Sequence, residues 1–159
     1  MNYRLQSKNP SCALIELINA SIFLGNPAVS DERFEQMEKL AHCYGRGCEN
    51  EDKFLDELGI IEVQPDSKIS KHSLEWIKEN LPVGITTTHS VFHHRSLIIE
   101  VNDNIVTVVN WYLGKNKYGI IQIDFNELLK YALSSRIENR REKNLLMFSY
   151  LLQKSNKSV

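Results

Sequence analysis

The sequence predicts an α+β domain, on three observations. Apolar residues recur at helical spacing up to Leu81, β-branched and aromatic residues take over after Pro82, and the strand-like runs there follow one another directly. Helices first and a meander afterwards is the pattern of an α+β fold rather than of a wound parallel sheet.

The elements follow in order. From Cys12 to Leu24, apolar residues at 14, 15, 17, 18, 22 and 23 form a wide stripe that Gly25-Asn26-Pro27 ends, which predicts a mostly buried helix. Ser30 is placed to cap a second helix, with Asp31 and Glu32 at its positive end and Phe34, Met37, Leu40 and Ala41 on one face. Gly45 and Gly47 then break the chain. Asn50 is placed to cap a short helix through Leu58, and Ser70 another to Asn80, with Leu74, Ile77 and Leu81 inward. After Pro82 the runs VGITTTHSVF, SLIIEV, IVTVVNWY and YGIIQI read as antiparallel strands. Asp124 and Glu127 form a capping box for a helix through Leu133, and a last helix is expected from about Ile137 to Leu152. One domain over 1–159 is expected, with a helical half at about 1–81, a sheet half at about 82–133 and a final helix at about 137–152.

Bulk properties narrow the function classes. With 159 residues, the chain can bury one core without disulfides or metals. A 42% hydrophobic and 25% charged composition is that of a globular protein, and a net charge of -1 gives no overall attraction to nucleic acid or anionic lipid. No apolar run approaches the roughly 18 to 20 residues of a membrane span. The start MNYRLQSKNP lacks an export signal's apolar core, and the cysteine count of 3 is odd, so reduced thiols in the cytoplasm are expected.

The residues that can carry chemistry lie in both halves. Cys12 follows Asn9-Pro10-Ser11 and opens the first helix, where the helix dipole favours a thiolate over the thiol of pKa about 8.5. His94 and Asn110 lie at the open end of one predicted hairpin. A loop of residues 102–104 pairs Val101 with Ile105 and sets Ser96 opposite Asn110, so His94 and Asn110 share a face as diagonal neighbours about 7–8 Å apart. A two-residue loop would put them on opposite faces, so the arrangement requires an odd loop or a bulge. His93 faces the other way from His94.

Taken together, these residues resemble the papain-like cysteine peptidases, and within them the compact C39-like group. The shared pattern is a glutamine before the nucleophile, a cysteine opening a helix, and a histidine and an Asn or Asp on adjacent antiparallel strands. Gln6 stands six residues before Cys12, and LPVGITTTHSVFHHRSLIIEVNDNIVTVVN matches the histidine-strand, turn, strand stretch. The resemblance covers roughly residues 4–133. It implies a papain-like fold, with the helical half packed on a C-terminal antiparallel sheet, and a Cys12–His94–Asn110 triad with Gln6 as an oxyanion donor. It also implies a thiol-dependent peptidase acting on a peptide or protein without a cofactor. Ala13 stands where the family has glycine, and Trp111 where the C39-like group has proline. A transferase, a deamidase or an inactive binding module on the same fold stays open.

Other features have plainer readings. His89, His93 and His94 do not form a metal cluster on a strand, where residues four apart are on the order of 13 Å apart. Cys43 and Cys48 are expected as two thiols rather than a disulfide or half a metal site. Arg136, Arg140, Arg141 and Lys143, interleaved with Glu138 and Glu142, read as the solvated face of the last helix. Trp76 and Trp111 read as core or cleft-lining residues.

Overall fold

The computed structural model describes residues 2–7, 9–42, 47–64, 74–90, 92–137, 140–144 and 146–154, with side chains outside 133–145. Its first element, α1 (Cys12–Phe23), is buried from Cys12 to Ile22, so the apolar stripe widens to nearly the whole cylinder. Burying Leu14, Ile15, Leu17 and Ile18 contributes roughly 1.5–3 kcal/mol each. Leu24 and Gly25, the latter at φ 98°, turn the chain out of the helix.

Ser30 caps α2 (Asp31–Ala41) by accepting from the Arg33 N–H at 3.1 Å. Met37 and Ala41 are buried as expected, whereas Leu40 points to solvent. Asn50 precedes α3 (Glu51–Leu58) but does not cap it. It takes a left-handed backbone, and its amide donates to the Leu40 carbonyl at 2.9 Å. A strand the sequence reading missed, β1 (Ile60–Val63), follows directly. The helix α4 (Leu74–Glu79) lies within the span expected and turns Ile77 inward; its expected cap, Ser70, lies outside the described residues.

The sheet is then laid down as β2 (Val83–His89), β3 (Phe92–Asn102), β4 (Ile105–Gly114) and β5 (Lys117–Asp124). Asp124 caps α5 (Phe125–Leu129), which is shorter than the helix expected through Leu133. The final helix is a correction: β6 (Leu133–Ile137) and β7 (Arg140–Asn144) form a hairpin, and β8 (Leu146–Leu152) is a strand. The run LMFSYLL is short and apolar, and such a run reads equally as helix or strand until its neighbours are known. Here it is bonded on both sides, between β1 and β2. The basic residues therefore sit on a hairpin in which Arg136 is paired with Arg141, not on a helix face.

The mixed α+β architecture is thus present as a six-stranded antiparallel sheet in the order β1-β8-β2-β3-β4-β5. Side chains alternate across it. Leu97 joins a core with α1, α2 and α3 on one face, while Ile98 joins a second core with α4 and α5 on the other. The helical segments therefore cover both faces, and two strands come from outside the expected sheet half. Trp111 belongs to the second core and Trp76 packs against it.

Candidate functional site

The hairpin of β3 and β4 decides where His94 and Asn110 point. Asn102 pairs with Ile105, so the loop has two residues, Asp103 and Asn104, with Asp103 at φ 52°. By itself that loop would separate His94 from Asn110. The register then slips between Ile98 and Glu100, where Ile99 is an extra residue, and Leu97 pairs with Val109. The bulge restores the parity that the three-residue loop was expected to supply, and brings Ser96 opposite Asn110. The Ser96 hydroxyl donates to the Asn110 carbonyl at 3.2 Å.

His94 is buried, and its Nε2 lies 2.6 Å from the same carbonyl. A carbonyl only accepts, so Nε2 carries the proton and Nδ1 keeps its lone pair. The expected partner was the Asn110 side chain. Asn110 instead takes φ 65°, a left-handed conformation that Asn tolerates better than most residues, and its amide swings away from the histidine. Its Oδ1 accepts the backbone N–H of Gln6 at 2.8 Å, while its Nδ2 is buried without a hydrogen-bond partner.

The N-terminal segment is held at two points. Asn19 on α1 accepts from the Arg4 N–H at 2.7 Å and donates to the Arg4 carbonyl at 2.9 Å. Asn110 holds Gln6 two residues later. The chain then turns at Asn9-Pro10-Ser11, where the Ser11 N–H bonds the Asn9 carbonyl at 2.9 Å, and enters α1 at Cys12. Gln6, Cys12 and His94 consequently line one cleft of about 500 Å³, with Phe92 and Tyr118 on its aromatic side.

Tyr118 is the site residue that sequence reasoning missed. It lies on β5, its ring centroid is 5.1 Å from that of His94, and its hydroxyl accepts from Gln6 Nε2 at 3.2 Å. Burial first, then the nearby Cys12 and Tyr112, push its phenol above the usual range. Nothing in YGIIQI marks this tyrosine apart from its place on a strand next to that of Asn110.

Burial lowers the His94 pKa to about 4, only partly offset by the bond to the Asn110 carbonyl. The imidazole is therefore neutral near pH 7. His93 is exposed, with Nδ1 3.1 Å from Thr88 Oγ1, and it lines the rim of the same cleft as the buried His94. The strand expected to run on through Phe92 instead breaks at Ser90, where φ is 59°. That turn folds His89 back so that its ring centroid lies 6.0 Å from that of His94, among Trp111, Tyr112 and Tyr131. Burial, then His94, lower the His89 pKa to about 4 as well.

Among the described residues, no group of three His, Cys, Asp or Glu side chains is arranged to hold a metal. No helix of the described residues is long and apolar enough to cross a membrane. Cys48 is a buried core thiol, and Cys43 lies outside the described residues. Ala13 is fully buried in the core. The chain matches no protein-family model and no curated protein.

Proposed function

We propose that the chain is a thiol-dependent acyl-transfer enzyme of papain-like type, most simply a cysteine peptidase that cleaves a peptide or amide bond. The observation that carries this reading is the shared cleft: a cysteine at the start of a buried helix, a buried histidine whose Nε2 is committed to a carbonyl, and a glutamine amide beside them.

In this reading His94 Nδ1 takes the proton of the Cys12 thiol, and the sulfur attacks the substrate carbonyl carbon. The imidazolium so formed is steadied by its Nε2–H bond to the Asn110 carbonyl. Gln6 Nε2 and the Cys12 backbone N–H stabilise the oxyanion, and donors of this kind contribute on the order of 10²–10³ in rate. As the tetrahedral intermediate collapses, His94 returns the proton to the leaving amine and a thioester remains on Cys12. Water, activated by the same imidazole, hydrolyses that thioester to release the acid and regenerate the thiol. An amine attacking in place of water would make the enzyme a transferase. The working compartment we propose is the cytoplasm, where the thiols stay reduced.

A second reading, a silent papain-like fold that binds a protein partner, draws on a specific observation: the Asn110 amide holds Gln6 and leaves His94 alone. Thiol labelling separates the two. An enzyme alkylates at Cys12 with iodoacetamide or the epoxide E-64 at pH 7 much faster than at Cys43 or Cys48, and replacing His94 slows it. Equal labelling of all cysteines, unaffected by His94, favours the binding module.

A further inference from the structure

The two elements that carry Cys12 and His94 are also joined by a buried ion pair outside the cleft lining. Glu16 lies one helical turn beyond Cys12 on α1, and Arg95 follows His94 on β3. Their side chains are 0% and 4% exposed, and Arg95 donates to Glu16 Oε2 at 2.5 Å. The Tyr150 hydroxyl on β8 donates to the same oxygen. Arg95 also reaches Glu51 on α3 at 3.3 Å, and Glu62 on β1 lies 3.7 Å away.

Such a pair is a poor device for stability alone, because removing two charges from water costs about what their attraction returns, and well-packed apolar residues often do as well. It differs from apolar packing in being directional. The rest of α1 that meets the sheet, Leu14, Leu17 and Ile18 among it, is apolar, and the attraction of apolar surfaces leaves direction unspecified. A charge-assisted bond from a rigid guanidinium fork does not.

We propose that the Glu16–Arg95 pair is a positioning clamp that fixes the slide and rotation of α1 on β3, and thereby sets the Cys12 thiol at its working distance from the His94 imidazole. The proposal rests on the reading of Cys12 and His94 as nucleophile and base. Neither clamp residue touches substrate. A misplacement of about 1 Å at a reacting pair costs on the order of 10²-fold in rate, so a helix held only by apolar contacts would be a poor nucleophile carrier.

The test uses the full chain, with a double variant Glu16→Leu/Arg95→Met that replaces the pair by apolar groups and a single Glu16→Gln that keeps the shape of Glu16. Each is measured for melting temperature, for the crystallographic Cys12 Sγ–His94 Nδ1 separation, and for the iodoacetamide rate at Cys12 with and without His94→Ala. The clamp predicts a double variant that melts near the wild type, a separation altered by about 1 Å or more, and a His94-dependent rate enhancement reduced at least about tenfold. If the double variant fails to fold, Glu16→Gln is expected to give the same two losses. Unchanged separation and unchanged enhancement in a folded variant overturn the clamp. A wild type whose labelling ignores His94 overturns the enzymatic reading instead, and the separation alone then decides the clamp.

Discussion

Asn110 holds His94 through its main-chain carbonyl, 2.6 Å from Nε2, and holds Gln6 through its side chain. The two jobs separate on mutation. Asn110→Gly keeps the carbonyl and suits φ 65°, so His94-dependent alkylation of Cys12 is expected to stay within about threefold of the wild type, while turnover of a peptide substrate falls as Gln6 loses its anchor. Asn110→Ala adds the strain of a left-handed alanine, of order 1–3 kcal/mol, and is expected to lower both rates. If Asn110→Gly abolishes the His94 effect, the side chain and not the carbonyl orients the ring.

His94→Ala is expected to slow Cys12 alkylation at pH 7 at least about tenfold, and His93→Ala to leave it unchanged, because His93, though it also lines the cleft, is exposed and bonded to Thr88, whereas His94 is buried. Since burial sets the His94 pKa at about 4, its base form persists well below the usual histidine range. The gap between wild type and His94→Ala is therefore expected to survive at pH 6 and to close only near pH 4. A gap that closes near pH 6.5 would mean that His94 is better solvated than its burial implies.

Much of this site was legible because its residues sit at element boundaries. Cys12 is marked by the turn before it and the long apolar helix after it, whereas Gln6 is picked out only by the offset that the papain-like resemblance implies. The hairpin parity was legible only as a condition, since the Ile99 bulge and the left-handed Asn110 depend on strand pairing rather than on local propensity. β8 escaped for a similar reason: an apolar run shows its strand character only between two partners. Glu16 lies off the apolar stripe of its helix, and only partners distant in sequence, Arg95 and Tyr150, account for its burial.

Gln6 and Tyr118 form a donor–acceptor pair, and their variants distinguish catalysis from thiol reactivity. If Gln6 is the oxyanion donor proposed, Gln6→Ala removes charge stabilisation that matters only in the transition state, so turnover is expected to fall about 10²–10³-fold with Cys12 alkylation nearly unchanged. Tyr118→Phe removes the hydroxyl that accepts from Gln6 Nε2 and leaves the amide looser, so a smaller loss, on the order of tenfold, is expected in kcat. Wild-type turnover in Gln6→Ala would remove it from the oxyanion site.

Gly84 on β2 has a steric reason to be glycine. A Cβ there would overlap the Glu16 carboxylate, which is locked by Arg95 and Tyr150 and cannot turn aside without breaking the buried pair. Unpairing a buried charge costs about 3–5 kcal/mol, so Gly84→Ala is expected to destabilise the chain by a comparable amount in urea denaturation. A loss below about 1 kcal/mol would show that the carboxylate can shift freely, and would weaken the clamp with it.

Stability against pH reads two opposing groups. Burial, then the nearby Glu51, raise the Glu62 pKa to about 7, so between there and the ordinary carboxylate value of 4.5 the folded state binds the proton more tightly than the unfolded one. Glu62 thus contributes stability as pH falls from about 7 to 4.5, and withholds it at higher pH. His89 and His94, lowered to about 4, act in the opposite sense: the unfolded state takes their protons first, so stability is lost as pH falls from 6.5 to about 4. Glu16, also raised by burial, acts in the same sense as Glu62. Glu62→Gln isolates the acidic group, since an amide there is neutral at every pH. It is expected to be more stable than the wild type at pH 8 by about 2 kcal/mol and to lose that advantage by pH 5, read as urea midpoints at the two pH values. An advantage equal at both would mean that Glu62 does not titrate in this range and that Arg95 holds it ionised.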